Sequence, residues 1–103
     1  MSEKHIIDQA QAYQQQIQSI LIQKESLNLQ LFEIKKALEE IDKAGQTDFY
    51  KIAGPILLKA DPEQLKSELK EKLTLIQERI DALTRSEEKI KKKIEELREK
   101  VAK

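Results

Sequence analysis

Apolar residues recur along the first part of the chain in alternating steps of four and three: Ile6, Ala10, Tyr13, Ile17, Ile20, Leu27, Leu31, Ile34, Leu38 and Ile41, with Lys24 as the polar member of the series. Such spacing keeps one narrow stripe of a helix turned toward a partner helix, the a/d seam of a coiled coil. A first helix is predicted from about Lys4 to about Lys43. Gly45 suits the C′ position that ends it, and Lys43 complements the dipole in the last turn. A second series follows the same rule: Leu69, Leu73, Ile76, Ile80, Leu83, Ile90, Ile94, Leu97 and Val101, with Glu87 as its charged member. Asp61 is placed to act as N-cap, Pro62 to occupy N1, and Gln64 to complete a capping box, so a second helix is predicted over 62–102.

Two seams in one chain predict an antiparallel pair. An alignment that sets Leu38 against Leu69, Leu31 against Ile76, Leu27 against Ile80, Ile17 against Ile90 and Ile6 against Val101 brings both chain ends together. A shift by one heptad keeps the spacing but matches the ends less well. In the first alignment Lys24 faces Leu83 and Glu87 faces Ile20, in adjacent layers. Two readings stand side by side: each side chain snorkels to solvent, or the two form a polar pair that costs stability and penalises slipped alignments.

Between the helices, Phe49–Ala53 and Ile56–Ala60 read as short strands around a Gly54–Pro55 turn, where proline's missing N–H does no harm. Both faces of this hairpin carry apolar residues: Phe49, Ala53, Ile56 and Leu58 alternate with Tyr50, Ile52 and Leu57. A lone two-stranded hairpin is marginal in water. Either it folds back on the helices, or its strands pair with those of other chains and bury both faces there. Off-seam apolar residues (Leu21, Ile22, Leu29, Phe32, Ala37, Leu65, Leu75) lie mostly in the half nearer the strands. The outer half carries Gln9, Gln11, Gln14, Gln15, Gln16 and Gln18 instead.

Composition narrows the functional classes. The 103 residues suit a single domain, 37% of them are charged, and the apolar content is mainly thirteen Leu and thirteen Ile, the mark of long helices. The chain holds no Cys and one His, so thiolate metal sites, disulfides and His clusters are excluded. A formal net charge of zero offers no general attraction to nucleic acid or anionic lipid. Residues 86–103 read as an ordinary solvated face, not a basic groove with stacking aromatics. No apolar run approaches the roughly 18 residues of a membrane span, and MSEKHIIDQAQ lacks a signal-peptide core. No catalytic residue, cofactor or metal is expected. The carboxylates sit on solvated faces with nothing to tune them, His5 is near a terminus, and neither glycine belongs to a phosphate-cradling loop.

The layout resembles a β-class, archaeal-type prefoldin subunit. The resemblance covers nearly the whole chain and rests on Ala12-Tyr-Gln-Gln-Gln, Lys35-Lys-Ala-Leu-Glu-Glu-Ile41, Leu69-Lys-Glu-Lys-Leu73 and above all Tyr50-Lys-Ile-Ala-Gly-Pro-Ile-Leu-Leu-Lys59. One hairpin instead of two points to the β type. The resemblance implies a mainly α fold, in which a long antiparallel coiled coil bears a hairpin that joins an inter-subunit β-barrel. It further implies a cytoplasmic chaperone without ATPase activity, in a hexamer of two α and four β subunits, that holds unfolded proteins at its coiled-coil tips and passes them to a group II chaperonin. Mapped here, Ile6, Ile7, Ala10, Ile94, Leu97 and Val101 are the client-binding candidates, although the seam members among them also serve to finish the helix core. Phe49, Tyr50, Ile52, Ile56, Leu57 and Leu58 are the assembly residues, and Lys24 and Glu87 the register pair. A structural or tethering coiled-coil subunit of a larger complex is the competing expectation. It leaves the doubly apolar hairpin without a purpose.

Overall fold

The computed structural model describes residues 2–44 and 49–102, and the Gly45 cap expectation lies outside them. The element order is α1 (Glu3–Ala44), β1 (Phe49–Ala53), β2 (Ile56–Ala60) and α2 (Pro62–Ala102). The chain is mainly α, with two long helices and one short antiparallel hairpin between them. At the start of α1 the Ser2 hydroxyl accepts from the His5 N–H at 3.2 Å, a cap that the apolar spacing does not mark. At the start of α2, Asp61 Oδ1 accepts from the Glu63 N–H at 3.4 Å and the Asp61 carbonyl from the Leu65 N–H at 2.9 Å. The expected capping box is not completed: among the described hydrogen bonds, none is donated by the Asp61 N–H to the Gln64 side chain. Pro62 fixes the entry of the chain without that bond.

The chain divides into two compact units. One comprises Met1–Asn28 and Arg79–Lys103. Here the N-terminal part of α1 packs on the C-terminal part of α2, burying Ile6, Ile20, Leu27, Ile80, Ile90 and Leu97. Ala10, Tyr13, Ile17, Lys24, Leu83 and Ile94 are half-buried, and of the seam only Val101 is exposed. The Lys93 ammonium lies 5.8 Å from the Tyr13 ring centroid, a cation–π distance. That contact suits an alignment with Tyr13 opposite Ile94. The heptad-shifted one would carry Tyr13 to Val101.

The second unit is Leu29–Glu78. Its helical seam buries Ile34, Ile41 and Ile76, with Leu31, Leu38, Leu69 and Leu73 half-buried. Lys66 Nζ reaches Asp42 Oδ1 at 2.6 Å, which again fits the unshifted alignment. Among the described residues no core side chain is fully enclosed, because two cylinders touch along one line and leave seam residues open on their flanks.

In the hairpin of this unit, Phe49 pairs with Ala60, Tyr50 with Lys59, Lys51 with Leu58, Ile52 with Leu57 and Ala53 with Ile56. Gly54 adopts φ +61° and Pro55 follows it. A positive φ at the first of two loop residues, then a proline locked near −65°, is the pattern of a type II′ turn, whose twist matches that of the strands.

Candidate functional site

Three sets of residues stand out, each within one unit. The first is the hairpin. Because cross-strand partners share a face, Tyr50, Ile52, Leu57 and Lys59 form one face and Phe49, Lys51, Ala53, Ile56, Leu58 and Ala60 the other. Ile52 is 77% exposed, Leu57 63% and Tyr50 55%; on the opposite face Ile56 and Leu58 are also exposed. Only the open end is partly covered, with Phe49 and Ala60 half-buried. A surface ion pair, Lys51 Nζ to Glu68 Oε2 at 3.2 Å, ties β1 to α2 on that second face. The hairpin is therefore tethered to the helix, and its apolar side chains are left open.

The second set is a groove of about 410 Å³ at the helix ends of the first unit. It gathers all six residues singled out from the sequence: Ile6, Ile7 and Ala10 from α1, and Ile94, Leu97 and Val101 from α2. Their settings differ. Ile6 and Leu97 are buried seam residues that form the floor, Ala10 and Ile94 are half-buried, and Ile7 and Val101 are half or more exposed. Gln14 and Arg98 complete the lining and were not anticipated. Being polar, they carry no apolar spacing that would mark them for this groove. Nearby, Gln9 Nε2 donates to the Tyr13 hydroxyl at 3.3 Å, and Gln9 Oε1 is enclosed with no donor from the described residues.

The third set is the polar break in the seam. Lys24 Nζ donates to Glu87 Oε1 at 3.1 Å. Lys91, one turn along α2, approaches Glu87 Oε2 at 3.0 Å. Glu87 is buried and Lys24 half-buried, like Ala10, Ile17, Leu31 and Leu38 of its own seam series. The lysine's four-carbon stem lets its ammonium reach the carboxylate from a flank, whereas the shorter glutamate stays within the helix pair. Lys91 and then Lys24 hold the Glu87 carboxyl below its usual range, against a smaller opposing effect of burial. In the other unit Lys66 likewise lowers the pKa of Asp42, and Asp42 raises that of Lys66.

Among the described residues, no group of three or more His, Cys, Asp or Glu is arranged to hold a metal, and no helix is long and apolar enough to cross a membrane.

Two seamed helices joined through a single exposed β-hairpin define a class of long-helix, hairpin-bearing proteins. Residues 4–103 match the family described as Prefoldin subunit. A prefoldin subunit beta from Thermococcus onnurineus is 41% identical over 97 residues, covering 93% of this chain and 84% of that protein. The prefoldin subunit beta of Pyrococcus furiosus is likewise 41% identical over 97 residues, with 93% and 83% covered. The crystal structure of the prefoldin beta subunit from Thermococcus strain KS-1 matches with a TM-score of 0.90 at 35% identity, over 95% of this chain and 87% of that one. The chain belongs to the prefoldin family of chaperone subunits, in its β class.

Proposed function

We propose that the chain works as one subunit of an ATP-independent holdase in the cytoplasm, a hexamer of two α-type and four β-type subunits. The observation that carries this reading is the hairpin with exposed apolar side chains on both faces. Strand edges and apolar faces of that kind are buried when hairpins from several subunits close into a barrel. Phe49, Tyr50, Ile52, Ile56, Leu57 and Leu58 supply the contacts. The groove around Ile7 and Val101 holds unfolded polypeptide, which is then delivered to a group II chaperonin. One small groove binds weakly, and several on one assembly bind a non-native chain together. Release then needs no nucleotide cycle.

In the same reading Lys24 and Glu87 act as a register lock for the helices. A tethering coiled coil would be served by the helices alone, and nothing in it calls for the open hairpin.

Trimming residues 1–10 and 95–103 tests the reading. The trimmed chain, assembled with an α-type subunit, should keep the parent's oligomeric mass and lose suppression of client aggregation without ATP. Full suppression by the trimmed assembly would remove the client-holding role of the helix ends.

A further inference from the structure

Next to the apolar groove at the helix ends lies a second, shallower one of about 640 Å³, within the same unit. Its walls are four glutamines of α1: Gln11, Gln14, Gln15 and Gln18, all exposed. Its apolar part is Ile17 and Leu21 with Ile94 of α2. The two grooves share Gln14 and Ile94, so they are continuous. No ionisable residue lines the second groove, although 37% of the chain is charged.

We propose that this glutamine-walled groove is a second client subsite, which recognises the main chain of an unfolded polypeptide whose apolar side chains occupy the adjoining groove. The inference rests on the holdase reading above and names the chemistry by which that surface takes a client.

A glutamine side chain offers two N–H donors and a carbonyl acceptor, the same groups that a peptide unit presents. An unfolded chain has every main-chain donor and acceptor free of secondary structure, whatever its sequence. Carboxylates or ammoniums in the walls would match only half of those groups, and would favour clients of opposite charge. Neutral amides accept any sequence. Each amide–peptide bond replaces hydrogen bonds to water, so its net contribution is small. Ordering a long glutamine side chain offsets part of that. Individual contacts therefore stay weak, as a subsite that must release its client requires. The partial exposure of Ile17, Leu21 and Ile94 adds an apolar strip beneath the amides.

The test uses the chain in the assembly it forms with its α-type partner. All four wall glutamines are changed to methionine (Q11M, Q14M, Q15M, Q18M), which keeps side-chain length and helix propensity and removes the amide. Two probes are titrated: an unstructured peptide of Val, Leu and Ser, and the same peptide with alternate backbone nitrogens methylated. Aggregation of a denatured client is followed in parallel. The parent should prefer the unmethylated peptide by about five-fold, the worth of roughly one net hydrogen bond, and the methionine variant should bind both alike. If the parent binds the two peptides equally, or the variant keeps the preference, the main-chain subsite is overturned while client holding at the helix ends stands. If the parent neither suppresses aggregation nor binds either peptide, the holdase reading fails and this inference with it.

Discussion

Glu87 of α2 accepts a hydrogen bond from Lys24 of α1 at 3.1 Å, at a height of the seam where every neighbouring layer is aliphatic. The pair discriminates between alignments in one direction only. A slide that sets Glu87 opposite Leu27 leaves Lys24 one layer away, still within reach. The reverse slide sets Glu87 opposite Tyr13 and strands both charges among apolar residues, where an unpaired charge is costly.

Charge reversal at Lys24 alone (K24E) should therefore lower the melting temperature of the helix pair. The double reversal K24E/E87K should recover part of the loss. Replacing both by leucine should leave stability equal or higher, since an apolar pair incurs no desolvation penalty. It should also broaden the alignment. Disulfide trapping between introduced cysteines reports this cleanly, because the chain has no Cys of its own. A double-mutant cycle with no coupling would remove the lock.

The pH dependence follows from the same groups. Glu87 and Asp42 have lowered pKa values when folded. Their stabilisation is present above the ordinary carboxylate range and is lost as pH falls through the lowered values. Lys66 is raised by Asp42, so its contribution is present below the ordinary lysine range and lost as pH rises through the raised value. Melting temperature should thus decline at both extremes. Glu87→Gln should lower stability at neutral pH and flatten the acid limb, which thermal scans across pH will measure.

Neighbouring isoleucines separate seam from surface. Ile20 is 8% exposed and Ile22 65%. Ile20→Ala should cost about 2–3 kcal/mol, the lower end of the range for such truncations because the two-helix core is open at its flanks. Ile22→Ala should stay within about 0.5 kcal/mol in the isolated chain. Urea unfolding of the two variants checks the contrast.

At the helix ends, Ile7 and Val101 are exposed, and a polar replacement removes apolar surface without opening a cavity. The double variant I7S/V101S should melt within about 4 °C of the parent, the shift that a change of about 0.5 kcal/mol produces in a chain of this size. Its capacity to suppress client aggregation should fall. Equal capacity would move client contact elsewhere on the chain.

Much of this architecture is legible in the sequence, and for a physical reason. A seam is periodic, so Ile20, Leu27 and Ile34 announce their burial by spacing alone, and antiparallel pairing then carries Lys24 to Glu87. The strands show through their apolar residues on both faces and the Gly54–Pro55 break. Other features carry no such regularity. Asp42–Lys66 and Lys51–Glu68 are single pairings chosen from many acids and bases, and no spacing in the chain marks which partners meet. The capping role of Ser2 depends on one hydroxyl at the edge of the pattern, and the box expected from Gln64 needs a side-chain geometry that residue order does not specify. Gln14 and Arg98 join the terminal groove because helix packing aligns them with it, not because their own chemistry marks them.

The proposed assembly depends on other subunits completing the hairpin's two open apolar faces. Native mass spectrometry of the purified chain, alone and mixed with an α-type prefoldin subunit, tests it most directly. The expected species in the mixture is a hexamer of four copies of this chain with two of the α type, broken into smaller species by I52K/L57K without loss of helix content. A chain that stays monomeric in both samples would contradict it.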